Sequence, residues 1–363
     1  MISPPGGAKL AAGRIGESYM KLGFVAGYGT AQAQLPMEQI LEAERLGFHS
    51  VWTSEAYGMD AVSTASWILA RTSRIHVGTA IMQMPARTPT CAAMTAMTLN
   101  TLSGGRFILG LGPSGPRVVE GWYGVAYGRP LARTREYIDI VRQVAARTGP
   151  LVHQGREYRI PYDGPGASGL GTPMKGILHA DPTLRIFTAA VTPKGIACAA
   201  EVADGVFPVW LSPEHPEIIE PHVAEGLALS GRARASFEVA PAVPVSLDDD
   251  LERARAPVRE NLALYIGGMG PKGRNFYFDY VTRMGYADAA LRIQDLYLAG
   301  KRAAAAAAVP DALIDQVALV GPAARIRERL GAWKEAGRSG RVGSMLASGC
   351  SIEAMRLLAT ELL

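Results

Sequence analysis

The chain of 363 residues is 48% hydrophobic and 19% charged, which excludes a disordered protein and allows a large buried core. Its net charge of +4 comes without a long basic run, so nucleic acid is not indicated as a partner, whereas a small anionic ligand is suitable. Three widely spaced cysteines argue against a disulfide framework and fit a cytoplasmic protein. The longest run of Ala and Val, 303–309, is too short to span a bilayer, so no membrane association is expected.

The side chains available for the core and for metal binding are limited. Aromatic residues are only 7% of the chain, so we expect Ala, Leu, Val and Ile to fill the core. The six histidines show no metal-ligand spacing with the cysteines, and no metal site is predicted.

Short apolar runs alternate with amphipathic helices from Met20 onwards, after a lead-in over residues 1–19 that we predict to be flexible. Two stretches rich in glycine interrupt this alternation and are predicted insertions, near 149–183 and 263–300. The predicted strands are 21–26, 50–53, 75–82, 107–111, 186–190, 205–209, 238–243 and 342–347. The helices predicted between and after them are 36–46, 62–70, 90–102, 134–146, one from 193, 216–229, 322–336 and 351–363.

Eight strands that alternate with helices must be parallel, because each helix crosses over between successive strands. The pattern predicts an α/β protein with a single (β/α)₈ TIM barrel over residues 20–363, carrying the two insertions. The alternative is an open doubly wound sheet. The count of eight and the lack of a GxGxxG turn after the first strand favour the barrel. In such barrels the chemistry lies at the carboxyl ends of the strands.

The residues that follow the predicted strands include neither a Ser-His-Asp arrangement, nor a metal cluster, nor a carboxylate pair typical of glycosidases. A cofactor is therefore expected to supply the chemistry. The glycine-rich segment Gly110–Gly115 would let a flat ring or a phosphate approach the backbone, although an ordinary barrel loop has the same composition. The helix that starts at Pro193 would offer free N–H groups to a phosphate, and Lys194 either adds charge or is solvated.

Titratable residues near the strand ends each allow a functional and a structural interpretation. Glu55 follows the second strand and either contacts a cofactor ring, acts as an acid, or pairs with a barrel arginine. Tyr28 and Tyr57 either donate hydrogen bonds or only pack. Asp60 is a weaker candidate, since a helix cap or a surface carboxylate is the commoner use. His76, in the third strand, is predicted to be a core residue or to lie at the opposite end of the barrel.

Four stretches carry a resemblance to a known family: SVWTSEAYGMDA, RIHVGTAIMQMPARTPT, LSGGRFILGLGPSGPRVVEGWYG and AAEVADGVFP. Together they resemble the bacterial luciferase-like superfamily, and more closely its branch that uses the deazaflavin coenzyme F-420, which includes methylene-tetrahydromethanopterin reductase. The resemblance covers about residues 20–363. It implies a (β/α)₈ barrel, a homodimer as the common assembly, and a ring system lying across the carboxyl end of the barrel.

The resemblance also assigns cofactor contacts. It implies a non-proline cis peptide at Ala80–Ile81 behind the deazaflavin ring, a coenzyme contact at Gln83 and an acidic neighbour at Glu55. The loop after the fourth strand, with Gly112 and Ser114, resembles the reductase type. Backbone groups at Ala189, Ala190, Pro193 and Lys194 match the phosphate-binding region.

Three departures from the branch concern alcohol oxidation. The alcohol and sugar-phosphate dehydrogenases have a histidine, a glutamate and a tryptophan where this chain has Ala56, Pro113 and Asp60. The resemblance therefore favours reduction of a C=C or C=N bond of a small organic substrate by the reduced coenzyme. Tyr28, Glu55 and Asp60 are the candidate proton donors.

Two other functions stay open at this point: an FMN-dependent monooxygenase and a cofactor-binding protein without catalysis. The substrate pocket is expected to be shaped by the two insertions, because loops vary most. The aromatic residues over 276–280 either cap the barrel or pack within loops or a dimer contact.

Overall fold

The structure is a computed structural model that describes residues 20–27, 31–179, 181 and 184–363. The predicted lead-in over 1–19 lies outside the described residues. Within the described part, no helix combines the length and the apolar character needed to cross a membrane.

Eight parallel strands form a closed ring. The sixth strand is Gly205–Pro208 and the eighth is Ser344–Ser348. The seventh strand, which lies between them, has two segments: Glu238–Val239 pairs with the sixth strand and Ala242–Leu247 with the eighth. The eighth strand pairs with the first, which completes the circle. The predicted (β/α)₈ barrel is thus confirmed. The other barrel strands are Lys21–Val25, Ser50–Thr53, His76–Thr79, Phe107–Gly112, Ile186–Ala190, Gly205–Pro208 and Ser344–Ser348.

Helices surround the ring, and several of them start at a residue whose side chain caps the first turn. Asp60, Thr88, Thr192 and Ser351 each accept a hydrogen bond from the first turn of the helix that follows. The helices are Met37–Leu46, Ala61–Arg71, Pro89–Leu102, Pro116–Gly121, Pro130–Ala146, Pro193–Val202, Glu220–Ser230, Leu251–Gly268, Phe276–Arg283, Ala287–Leu298, Arg302–Ala307, Asp311–Val317, Ala323–Arg338 and Ile352–Leu362.

The two predicted insertions differ in structure. The stretch 149–183 forms a two-stranded hairpin, His153–Gln154 with Arg159–Ile160, and little other regular structure over its described residues. The stretch 263–300 lies inside a longer helical block that runs from Leu251 to Val317 and has a hydrophobic core of its own. The helix Leu251–Gly268 was not predicted from the sequence, although Asp250 caps it.

The core is mostly aliphatic, as expected, but aromatic side chains fill part of the inside of the barrel. Trp52, Phe187 and Phe207 meet there, with ring centroids 5.0 to 5.8 Å apart. Ile108 and Leu346 accompany these rings, and aliphatic side chains dominate the layer between the strands and the helices. Three large rings suffice to block a narrow barrel. A ligand must therefore bind at an end of the barrel.

The amino ends of the strands, which we call the base, carry a charged cluster. Glu238 accepts hydrogen bonds from Lys21 at 2.9 Å and Arg185 at 2.8 Å. Next to it, the rings of His49 and His76 stack with centroids 4.5 Å apart and planes 6° apart. The prediction that His76 lies away from the catalytic end is thus confirmed. Burial would raise the pKa of Glu238, but the charges of Arg185 and Lys21 lower it to about 2.

The stacked histidines predict a loss of stability in mild acid. Burial, followed by the charges of His76 and Lys21, lowers the pKa of His49 from 6.5 to about 4. The unfolded chain then binds this proton more tightly than the folded one. The contribution of His49 to the free energy of unfolding should be fully present above pH 6.5. It should be lost as the pH drops from 6.5 towards 4, by up to about 3 kcal/mol.

Urea unfolding between pH 7 and 4 tests this expectation. His49→Phe keeps a ring to stack on His76 and removes the titrating group, so its stability should vary less with pH than that of the parent. Some variation should persist, because burial also lowers the pKa of His76. Identical pH dependence in parent and variant would show that His49 is not the group responsible.

Candidate active site at the barrel mouth

An ion pair lies at the carboxyl ends of the strands, which we call the mouth. Arg87 donates to both carboxylate oxygens of Glu55, at 2.9 Å each. The Glu55 side chain is 7% exposed and that of Arg87 16%. The N–H of Gln83 also donates to Glu55, at 2.8 Å. Of the interpretations offered for Glu55, the structure shows pairing with a barrel arginine. No sequence pattern singled out Arg87 as the partner, because it is 32 residues away from Glu55.

Asp60 also contacts Arg87, and its side chain is more exposed than that of Glu55. Its side chain caps the helix Ala61–Arg71 by accepting from the Ser63 N–H at 2.6 Å, and it forms an ion pair with Arg87. Burial works against the charge of Asp60, but the Ser63 hydrogen bonds and the Arg87 charge outweigh it and lower the pKa. A carboxyl with a lowered pKa is ionised at neutral pH and poorly suited to donate a proton.

Gln83 is buried, and one of the two polar atoms of its side chain lacks a hydrogen-bond partner in the described structure. Its side-chain amide donates to the carbonyl of Ala56 at 2.7 Å. Its Oε1 atom has no hydrogen-bond partner within the described structure, although the residue is 1% exposed. An unsatisfied buried acceptor is costly and calls for an explanation. A ligand with an N–H group would satisfy this one.

Two strand ends next to Gln83 present an apolar surface. The Ala80–Ile81 peptide bond is cis, as the resemblance implies. The short strand Met82–Gln83 pairs with the end of the fourth barrel strand at Gly112, and a Cβ on Gly112 would lie 2.7 Å from the Ile81 side chain. Only a glycine fits against Ile81 there. Ser114, two residues further on, has a φ of 60°. The structure thus brings Glu55, Ile81, Gln83 and Gly112 together.

The predicted phosphate-binding region lies at the carboxyl end of the fifth strand. Leu111 pairs with Thr188, so Ala189 neighbours the end of the fourth strand at Gly112. Ala189 and Ala190 end the fifth strand, and the helix Pro193–Val202 begins next to it, capped by the Thr192 hydroxyl, which accepts from the Gly195 N–H at 3.1 Å. Lys194 is exposed at this helix start. These residues form a second group beside the one around Glu55.

Tyr123 is a site residue that the sequence did not indicate. Its hydroxyl donates to the Ala56 carbonyl at 3.5 Å, the same atom that accepts from Gln83. Burial and the negative charges of Glu55 and Asp60 raise its pKa, so it remains protonated. Tyr123 lies just after the helix Pro116–Gly121, and its hydroxyl reaches Ala56, which follows the second strand and is 67 residues away in the sequence. No local pattern reveals such a contact.

Two further sequence expectations complete the description of the mouth. Tyr28 lies outside the described residues. Tyr57 is 61% exposed. Among the described residues, no group of three or more His, Cys, Asp or Glu side chains could hold a metal ion.

Comparison with known proteins identifies the family. The model of the luciferase-like monooxygenase family matches residues 20–340. The chain belongs to this family. A Mycobacterium tuberculosis relative, provisionally named as a coenzyme F-420-dependent oxidoreductase, is 44% identical over 94% of this chain and 99% of its own. The 5,10-methylenetetrahydromethanopterin reductase of Archaeoglobus fulgidus is 27% identical over 81% of this chain and 84% of its own.

Solved structures of other proteins share the fold. The F-420-dependent tetrahydromethanopterin reductase of Methanopyrus kandleri superposes with a TM-score of 0.75 at 20% identity, covering 94% of this chain and 98% of its own. A Pseudomonas putida Baeyer-Villiger monooxygenase in complex with FMN gives 0.64 at 16% identity, with the same coverage. At these identities the likeness shows the barrel and does not distinguish the two cofactors.

Proposed function

We propose that this luciferase-like protein is an F-420-dependent oxidoreductase that reduces a C=C or C=N bond of a small organic substrate in the cytoplasm. The observation that carries the proposal is the buried, unpaired Oε1 of Gln83 beside the Ile81–Gly112 surface. The name of the Mycobacterium tuberculosis relative supports the choice of coenzyme. The residues Ala56 and Pro113 support reduction over alcohol oxidation, since neither can exchange a proton through its side chain.

The residues at the mouth fit this coenzyme. A deazaflavin ring carries N–H groups, one of which would donate to Gln83 Oε1, and the glycine at position 112 lets Ile81 pack against the end of the fourth strand beside it. The helix start at Pro193, with Lys194 and the backbone of Ala189 and Ala190, would hold the phosphate. Bound in its reduced form, the coenzyme supplies a hydride to the substrate.

The accompanying proton comes from a side chain or from water, and we assign it to the hydroxyl of Tyr123. Both oxygens of Glu55 accept from Arg87, and Asp60 is ionised by its cap and ion pair, so each is less suited than a protonated hydroxyl. Tyr28 remains a candidate that the structure does not test. Within the part of the chain that the structure describes, the Tyr123 hydroxyl is anchored by one long bond of 3.5 Å to Ala56, which a substrate atom can replace.

Tyr123→Phe should lower kcat by about a hundredfold and leave coenzyme affinity within twofold, because only the proton is lost. Turnover of reduced coenzyme with an unsaturated ketone or an imine is the measurement, followed between pH 6 and 9. Tyr127→Phe, a tyrosine that no hydrogen bond joins to the Glu55 group, is the control. If Tyr123→Phe retained full kcat and an unchanged pH profile, the proton would come from elsewhere.

Fluorescence titration of the purified protein with F-420 and with FMN tests the choice of cofactor. We expect tight binding of F-420 and weaker binding of FMN. Gln83→Met should weaken F-420 binding about tenfold, whereas Gln143→Met on an outer helix should not change it. Tight FMN binding without a response to F-420 would support a monooxygenase instead. F-420 binding without turnover of any unsaturated compound or imine would support a protein without catalysis.

A homodimer is the assembly we propose. Three large apolar side chains are exposed on two outer helices that follow each other in the chain: Trp67, Met94 and Leu102. A continuous apolar patch is typical of contacts between subunits, and we propose that these three side chains belong to one. Light scattering should give twice the chain mass of 38.5 kDa, and the double variant Trp67→Glu, Met94→Glu should give a monomer. A monomeric parent would refute the assembly.

A further inference from the structure

Three aromatic side chains meet where the long helical block joins the barrel. The ring centroids of Trp210 and Tyr277 are 5.5 Å apart, those of Trp210 and Tyr265 6.0 Å, and those of Tyr265 and Tyr277 4.8 Å. Trp210 is 6% exposed, and the two tyrosines are half-buried. We call these three residues the aromatic wall. No step of the proposed reaction so far uses them.

The aromatic wall lies at the mouth. Trp210 comes two residues after the sixth strand ends at Pro208, so it follows a carboxyl strand end. Its φ of 43° is in the left-handed region, which a tryptophan adopts only where its surroundings hold it. The Tyr280 hydroxyl donates to its carbonyl at 3.4 Å, which ties this turn to the helix Phe276–Arg283.

Two arginines attach the helical block to other strand ends. Arg117, which follows the loop after the fourth strand, donates to the Gly268 carbonyl at 3.0 Å. Gly268 is three residues beyond Tyr265 on one helix, so both lie on the same helix face. Arg283 donates at 3.1 Å to the carbonyl of Val191, the residue after the fifth strand. The helical block that carries Tyr265 and Tyr277 is therefore attached beside the ends of the fourth, fifth and sixth strands, and Trp210 follows the sixth.

We propose that the aromatic wall lines the substrate chamber and selects a flat, conjugated substrate over an aliphatic one with the same reactive bond. This rests on the proposed function, since it places the substrate beside the Gly112 loop and the Ala189–Ala190 strand end. The barrel interior below is filled by Trp52, Phe187 and Phe207, so a substrate must lie above them. Tilted and edge-on rings favour contact with another flat ring.

Binding of two probe ketones tests the proposal. Benzylideneacetone and ethylideneacetone carry the same unsaturated ketone and differ only in a phenyl or a methyl group. Their affinities are measured by quenching of tryptophan fluorescence, with and without F-420. The parent protein should bind benzylideneacetone at least tenfold more tightly. Tyr277→Ala should reduce this preference about fivefold, and Trp210→Phe should remove most of the quenching.

Phe276→Ala supplies the matched control, because Phe276 is the exposed neighbour of Tyr277 and is outside the aromatic wall. It should keep the full preference. Equal affinity for the two ketones in the parent, or the same loss in Phe276→Ala, would overturn the proposal. A parent that prefers benzylideneacetone but does not respond to F-420 would contradict the proposed function and leave the aromatic wall supported. Circular dichroism of each variant shows that it is folded.

Discussion

Replacing Arg87 with methionine is expected to lower the free energy of unfolding by about 3 kcal/mol, the largest effect we expect from any single change at the mouth. The loss arises because the Glu55 carboxylate, 7% exposed, would lose the guanidinium that donates to both of its oxygens. The affinity for F-420 should fall together with the stability, because Glu55 also accepts a hydrogen bond from the backbone N–H of Gln83. Urea unfolding and coenzyme titration measure the two effects.

Two further variants separate the ion pair from general damage. Arg292→Met removes an exposed arginine from the helix Ala287–Leu298 and should change stability by less than about 0.5 kcal/mol. The double variant Glu55→Gln, Arg87→Met removes both charges and should recover most of the lost stability. A stable Arg87→Met protein with unchanged F-420 affinity would show that the pair does not organise the site.

Gly78→Ala should cost about 2 to 3 kcal/mol of stability, although alanine is ordinarily a mild replacement. Gly78 pairs directly with Trp52 in the neighbouring strand, and a Cβ there would overlap the indole ring. The ring cannot move aside, because Phe187 and Phe207 enclose it and its N–H donates to Ser50 at 2.8 Å.

Gly331→Ala is the counterpart of this variant. Gly331 lies in the outer helix Ala323–Arg338 with open space around it, so alanine should raise stability by up to about 1 kcal/mol. Thermal unfolding of the two variants beside the parent measures both effects. A Gly78→Ala protein as stable as the parent would mean that the barrel interior has room that the structure does not show.

The barrel could be predicted from the sequence because its signals are local. Each strand is a short apolar run, and each outer helix has its own apolar face, as in the predicted 322–336 and the observed Ala323–Arg338. The order of these elements then leaves few ways to arrange them. The positions of Glu55, Gln83 and Gly112 at strand ends follow from the same reasoning, and the cis bond at Ala80–Ile81 follows from the family resemblance.

The chemistry around those positions could not be predicted, since it depends on contacts between distant residues. Glu55 meets Arg87 across 32 residues, and Ala56 meets Tyr123 across 67. The spacing of residues within a helix or strand contains no information about such pairs. The aromatic filling of the barrel was missed for a related reason, because the inward face of each strand supplies only one or two residues to it.

What this sequence determined by itself is therefore the eightfold alternation and the edge of the barrel at which Glu55, Gln83 and Gly112 lie. Only the tertiary structure decided that Glu55 is an ion-pair partner of Arg87, that the Tyr123 hydroxyl reaches the Ala56 carbonyl, and that Trp210, Tyr265 and Tyr277 meet. The physical reason is range. Backbone patterns repeat every two to four residues, whereas charges and rings interact with whatever the closed barrel places beside them.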